Sequence, residues 1–285
     1  MKIITLTSDL GLKDHYVPAL KGSIYSAESE VTIVDISHNV LPFDTAHAAF
    51  LLQSCYKNFP EGTVHLIAID TEPIINFNEL DGAFPCIMKY DGQFFVSNDN
   101  GFFGAFLGLT KPDEFWRIED VLSNPKLMKF PSKNMMVPAA IQILNGEDIS
   151  SFASPQEHWK KSLLTQATVE ENLIKGSVMY VDSYGNLITN ISSELFNVVG
   201  KNNPFTIMMS NKDYYIDIIS SSYNEVPAGE RLALFNENDL LEIAINRGAN
   251  MGTGGAEKLM GIRKGDVIRI EFTPQGSKET LEQLF

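Results

Sequence analysis

The chain opens with Ile3-Ile4-Thr5-Leu6-Thr7-Ser8-Asp9-Leu10-Gly11, followed by Leu12-Lys13-Asp14-His15-Tyr16. An apolar, β-branched run stops at Ser-Asp-x-Gly, and a helical pattern follows over Val17–Ser26. That order predicts a strand, a turn and a helix. In an open α/β sheet, ligands gather where loops leave the C-terminal ends of strands. Asp9 stands at such an end, and Gly11 lets the backbone turn tightly. A carboxylate there can accept hydrogen bonds from a vicinal diol such as a ribose, each worth roughly 1.5–3 kcal/mol. The same residue could serve as a helix N-cap.

At 285 residues the chain is long enough for two domains, each with its own core. A net charge of −14 argues against nucleic acid or an anionic membrane as partner. Cys55 and Cys86 have no Cys-x-x-Cys spacing, so neither a disulfide framework nor a zinc site is indicated, and reduced cytoplasmic thiols are expected. A strand starting at residue 3 leaves no room for a signal peptide, and no apolar run is long enough to span a bilayer.

Further strands are predicted at Val31–Ile36, ending in Ser37-His38-Asn39, and at Thr63–Ile69, with Asp70 at its end. Thr45–Tyr56 reads as a helix between them. Two carboxylates at two strand ends, Asp9 and Asp70, begin to describe one site. Cys86–Ser97 reads as a hairpin turning at Tyr90-Asp91-Gly92, and Met135–Leu144 as a short helix. Ser151–Asn172 is polar and is read as a linker; beyond it nearly everything reads as strand. Strands are expected at Gly176–Asp182, Leu187–Ile191, Phe205–Met209, Tyr214–Ile219, Leu232–Phe235, Leu240–Ile245 and Val267–Phe272. The expectation is an α/β N-terminal domain over 1–155 with a central mixed sheet, and a smaller all-β, barrel-like domain over 172–285.

Common catalytic templates are missing: no Gly-x-Gly-x-x-Gly follows the first strand, and there is no phosphate loop. Gly248–Gly255 reads as a flexible turn, His65 as structural, and Met135-Met136 as core. His38 is open to a ligand role. Asp99, in Asn98-Asp99-Asn100-Gly101, suits either turn chemistry or a cation.

Several stretches taken in order resemble the S-adenosylmethionine hydroxide adenosyltransferase family, whose relatives include the fluorinase and chlorinase. They are Ser8-Asp9-Leu10-Gly11 with Lys21-Gly22, Val34–His38 with Leu41-Pro42-Phe43-Asp44, Phe59–His65 and Asn98–Gly101. In the second half come Asp182-Ser183-Tyr184-Gly185-Asn186, Thr189-Asn190 and Leu241–Gly248. The resemblance implies that a nucleophile attacks the ribose 5′ carbon of S-adenosylmethionine and expels methionine, with no cofactor. Hydrolysis to adenosine and L-methionine is the expected reaction; a nucleoside-binding protein without catalysis and a halide-using enzyme are the alternatives. It also implies a homotrimer, with sites between the N-terminal domain of one copy and the C-terminal domain of the next. By resemblance, Asp9, Tyr16 and Phe43 bind the nucleoside from one side. Asp182, Tyr184, Asn186, Glu242, Ile245, Asn246 and Arg247 close the other, with Asp182 toward the methionine end.

The catalytic assignments by resemblance are Asp70, which orients or polarises water, and Ser132, which falls where the fluorinase has its halide-binding serine. The chain departs from the hydroxide-using pattern in two places. Thr71–Asn78 replaces a glycine turn followed by Arg, and Pro131 stands where a His is expected. Lys133 is a candidate for the missing positive charge. Glu237 and Asn238 stand where residues suited to the methionine carboxylate are expected.

Overall fold

A computed structural model describes residues 1–72, 82–119, 126–162, 166–209, 214–248 and 254–274. The chain divides into two compact units, Met1–Leu164 and Thr165–Phe285. No helix among the described residues is long and apolar enough to cross a membrane.

The first unit is built on strands β1 (Ile3–Ser8), β2 (Thr32–Ser37), β3 (Val64–Ala68), β4 (Pro85–Tyr90), β5 (Gln93–Asn98), β6 (Glu114–Ile118) and β7 (Ala153–Pro155). They form one mixed sheet in the order β2-β1-β3-β5-β4-β6-β7. β2, β1, β3 and β5 are mutually parallel; β4 pairs antiparallel with β5, β6 with β4 and β7 with β6. The β4–β5 hairpin turns at Asp91 and Gly92, both at positive φ (52° and 70°), as a two-residue hairpin loop demands.

Helices α1 (Tyr16–Ala27) and α4 (Val137–Leu144) cover one face of this sheet. Leu20 and Ile24 of α1 and Val137 and Ala140 of α4 pack there with Ile4, Leu6, Leu66 and Val96. Helices α2 (Thr45–Gln53) and α3 (Phe102–Leu107) cover the other, where Ala48, Ala49 and Leu52 meet Ile67, Phe95 and Phe102. The chain leaves β1 over one face to reach β2, then returns over the other to reach β3. Strand order therefore reverses at β1, and a crevice opens beyond the C-terminal ends of the strands.

The second unit contains β8 (Thr168–Glu170), β9 (Leu173–Val181), β10 (Leu187–Ser192), β11 (Phe205–Met208), β12 (Tyr215–Ile216), β13 (Arg231–Phe235), β14 (Leu240–Ile245) and β15 (Val267–Phe272). Their order is β12-β11-β15-β9-β10-β14-β13, with β8 added on β9, and every pairing is antiparallel. A bridge from Ile219 to Ala233 ties the chain after β12 to β13, so the two edges of the sheet nearly close into a barrel. The fold class is the expected one: a mixed-sheet α/β unit followed by a barrel-like antiparallel unit.

Some expectations need correction. The polar stretch 151–172 is not all linker, because β7 and β8 lie within it and join different sheets. The second unit also carries two helices, α5 (Ser193–Gly200) and α6 (Gly255–Met260), where mostly strand was expected. Ser192 caps α5 by accepting a hydrogen bond from the Leu195 N–H. The connection expected between the Phe205–Met209 and Tyr214–Ile219 strands, residues 210–213, falls outside the described residues.

His65 is structural. Its Nδ1 lies 2.7 Å from Thr5 Oγ1 and its Nε2 2.6 Å from Gln93 Oε1, while its ring stacks on Phe95. Burial pushes its pKa down to about 4, against the opposing contact with Gln93. The unfolded chain takes up this proton near its ordinary value of 6.5, whereas the folded chain resists until about pH 4. Stability is therefore lost as pH falls through that window, by at most about 1.4 kcal/mol per pH unit. Urea unfolding at pH 7 and pH 4.5 should show a smaller acid loss in His65→Gln than in the wild-type protein. Equal losses in both would contradict this account.

Candidate active site

Loops leaving the C-terminal ends of the parallel strands line the crevice of the first unit. Beyond β1, the Asp9 N–H donates to the Ala68 carbonyl at 3.4 Å, which holds the residue beside the end of β3. Asp9 Oδ2 accepts a hydrogen bond from the Phe43 N–H at 3.0 Å, leaving Oδ1 for a ligand. Asp9 is thus not the cap of α1, whose N-cap position is His15, without a side-chain capping bond. Phe43 sits at positive φ (65°) and is 72% exposed, a conformation and exposure that a bulky apolar residue rarely adopts without a purpose.

The loops after β1 and β2 are stitched together. Gly11 N–H donates to the His38 carbonyl and Val40 N–H to the Ser8 carbonyl. The buried His38 ring joins the same loops: Nδ1 lies 2.7 Å from Ser8 Oγ, and Nε2 lies 3.1 Å from Asp35 Oδ1 without hydrogen-bond alignment. Lys21 Nζ completes the set, 2.5 Å from Asp35 Oδ2. Burial works to raise the Asp35 pKa, but the nearby Lys21 ammonium and His38 ring outweigh it and hold the carboxyl below its ordinary value.

Asp70 follows β3 at positive φ (45°), with its backbone gripped from the end of β5. Asn98 Nδ2 donates to the Asp70 carbonyl at 3.1 Å, and Asn100 Nδ2 donates to the carbonyls of Ile69 and Asp70 at 2.9 and 3.2 Å. Burial raises the Asp70 pKa, and the charges of Asp9 and Glu72 raise it further. A carboxylate so placed is a stronger base than a free one. Asp99, between the two asparagines, accepts from the Lys160 N–H at 2.9 and 3.1 Å and ties down the strap after β7. Among the described residues, no group of three or more His, Cys, Asp or Glu side chains could hold a metal ion.

Ser132 opens a π turn, Ser132–Met136, that runs directly into α4. Pro138 has no N–H to give the Asn134 carbonyl, and the preceding turn is wider than an α-helix. Ser132 is fully buried, and its Oγ has no hydrogen-bond partner. Thr7 Oγ1, Ser97 Oγ and Asn98 Oδ1 are in the same condition, all at the C-terminal ends of β1 and β5. Such an atom costs about 1–3 kcal/mol when left unpaired. Asn98 and Ser132 lie on the side of α1 and α4, and Thr7 and Ser97 on the side of α2 and α3. Phe130 packs edge-on against Tyr16 and carries the Lys133 ammonium 5.8 Å above its ring. Thr71 and Glu72 are described, whereas residues 73–78 of the rebuilt turn lie outside the described residues.

The second unit holds a cavity of about 400 Å³ lined by Asp182, Tyr184, Asn186, Tyr223, Ile245, Arg247 and Gly248. Asp182 shapes the turn beneath it: Oδ1 accepts from the N–H groups of Tyr184 and Asn186, and Oδ2 from Asn186 Nδ2. That leaves Tyr184 67% exposed at the rim. Glu242 and Asn246 stand behind this wall. Glu242 accepts from Tyr223 Oη at 2.5 Å and from Asn236, and Asn246 Nδ2 donates to the Val226 carbonyl at 2.7 Å. Burial raises the Glu242 pKa despite these donors.

Tyr223 and Gly248 are lining residues that sequence reasoning missed; Tyr223 sits in a polar Ser-rich turn with no strand pattern to announce it. The end of the glycine-rich stretch also differs from expectation. Gly254 and Gly255 pack against the Tyr184-Gly185 backbone rather than forming a free turn, and residues 249–253 lie outside the described residues.

Family models for the SAM hydroxide adenosyltransferase N-terminal and C-terminal domains match residues 4–153 and 176–269. The chain is 24% identical to an (R)-S-adenosyl-L-methionine hydrolase of Thermus thermophilus, over 95% of this chain and all of that protein. It is 29% identical to another of that name from Methanocaldococcus jannaschii, over 68% of each chain. The crystal structure of an uncharacterized conserved protein from Thermotoga maritima superposes with a TM-score of 0.80 at 26% identity, covering 94% of this chain and 99% of that one.

Gly185 lies at φ 78°, and a Cβ there would fall 2.3 Å from the Gly254 carbonyl oxygen. Gly185→Ala should therefore cost about 1–3 kcal/mol, read as a lowered thermal midpoint. An unchanged midpoint would show that the two loops do not pack in this way.

Proposed function

Because the chain belongs to the SAM hydroxide adenosyltransferase family, we propose that it is an S-adenosylmethionine (SAM) hydrolase, moving the adenosyl group to water and releasing adenosine and L-methionine. One observation carries the reading to this chain's own residues: Asp9 and Asp70 flank a strand-end crevice whose buried polar atoms lack partners.

The chemistry asks little of the leaving group. As the C5′–S bond breaks, its electron pair neutralises the sulfonium and methionine departs uncharged. The demand falls on water, a poor nucleophile that must be aligned and relieved of a proton. Asp70, with its raised pKa, accepts that proton, and the buried Ser132 hydroxyl donates a hydrogen bond to the attacking oxygen. Asp9 Oδ1 takes the ribose hydroxyls, with Phe43 and Tyr16 as apolar walls. Tyr184, Asn186, Ile245 and Arg247 receive the nucleoside from a neighbouring copy in a homotrimer, while Glu242 and Asn246 brace that wall. The Asp182 carboxylate is engaged with its own turn, which limits its reach toward the methionine end. Cys55 and Cys86 are unbonded thiols, which favours a cytoplasmic setting.

Purified protein incubated with SAM should release adenosine without added halide, followed by chromatography. Adenosine binding without turnover would instead support a nucleoside-binding protein, and consumption that requires halide would support halogenation. Asp9→Ala should raise KM about 10- to 100-fold, the loss of one or two charge-assisted hydrogen bonds. Asp70→Asn should lower kcat by about 100-fold or more with KM little changed. On the acid side, the wild-type rate should fall at a pH above the ordinary aspartate value, because protonated Asp70 cannot accept the proton.

A further inference from the structure

We propose that Asn98 is a second holder of the attacking water, its Oδ1 accepting one hydrogen of a molecule that the Ser132 hydroxyl also contacts; the assignment rests on the hydrolase reading above. The sheet register places the two groups on the same side. Leu66 of β3 pairs with Val96 of β5, and both pack in the core beneath α1 and α4. Asn98, two residues beyond Val96, faces that side, level with Ala68 and, through the β1–β3 pairing, with Ser8. The Ser132–Met136 turn packs on β3 and β5, and its Met136 lies in the same core.

Both groups are fully buried, and neither Asn98 Oδ1 nor Ser132 Oγ has a partner among the described residues. The amide's orientation is fixed by its other end: the Asp70 carbonyl can only accept, so Nδ2 must face it and Oδ1 must face away. One residue thus grips the backbone of Asp70 while its acceptor stands unfilled beside the same strand ends. Buried polar atoms left unpaired by the protein are the groups that bound water satisfies.

The hydrogen-bonding capacity of one water closes the account. One hydrogen goes to the Asp70 carboxylate and the other to Asn98 Oδ1. One lone pair accepts from the Ser132 hydroxyl, and the second points at C5′. In the reaction that lone pair forms the O–C5′ bond while the C5′–S pair leaves with sulfur. The proton held by Asp70 transfers to it, and the hydrogen on Asn98 remains on the new hydroxyl of adenosine. Neutral Asn98 orients without competing for the proton. Pro131, next to Ser132, has neither an ionisable group nor an N–H to offer this water.

Steady-state hydrolysis of SAM by Asn98→Ala, Ser132→Ala and the double variant tests the assignment. Each single change should lower kcat roughly 10- to 100-fold with KM within about twofold. The double variant should be no worse than about the poorer single one, because both residues hold one molecule. A wild-type crystal grown with adenosine should place the 5′-hydroxyl oxygen, which is the oxygen of the attacking water, within hydrogen-bonding distance of both Asn98 Oδ1 and Ser132 Oγ, a readout independent of how the variants fold. A kcat for Asn98→Ala close to wild type, losses that multiply in the double variant, or a 5′-hydroxyl bound away from Asn98 and Ser132 would each overturn the assignment while leaving the hydrolase reading intact. Wild-type protein that releases no adenosine would overturn the hydrolase reading and this assignment with it.

Discussion

Four parallel strands ending on one edge impose the constraint on which the first unit depends. Inside the sheet, β1, β3 and β5 are paired on both sides, and the side chains packed on the two faces are mostly apolar. At the edge the ladder stops, and polar groups gather where no neighbouring strand can satisfy them. Asp9, His38, Asp70 and Asn98 all stand at this edge, one after each of β1, β2 and β3 and one at the end of β5. The reversal of strand order at β1 keeps the crevice clear of helices, since α1 and α2 depart over opposite faces.

Holding four loops in register there takes dedicated bonds. Ser8, His38, Asp35 and Lys21 form a chain running from the buried end of β1 to the surface. Its ends differ in energetic weight: the Lys21–Asp35 pair is solvated and worth little, while the buried Ser8–His38 contact cannot be replaced by water without rearrangement. Asn98 at the end of β5 and Asn100 just beyond it act on Asp70 through its backbone, which leaves its carboxylate available for chemistry.

The second unit solves a different problem, that of presenting an aromatic ring and a guanidinium from a barrel rim. Asp182 spends its carboxylate on three donors of its own turn, and the Gly185–Gly255 approach admits no side chain at either position. Tyr184 and Arg247 are exposed as a result, with Arg247 at positive φ (53°). Glu242 stays buried because Tyr223 and Asn236 donate to it.

The first strand, its Ser-Asp-x-Gly ending, the β4–β5 hairpin and most strands of the barrel were legible in the sequence, because periodicity and turn chemistry are local. The placement of Asp9 and Asp70 at strand ends followed from the same patterns. Local signals said nothing of the π turn that buries Ser132, of Tyr223 on the cavity wall, or of the strands hidden in the polar stretch 151–172. They also could not tell that Asp9 would hold the Phe43 backbone rather than cap a helix. Each of those depends on which distant group arrives to pair with a residue. A hydrogen-bonding atom has the same chemistry in any sequence, and only the packed fold decides whether it meets a partner or is left waiting for one.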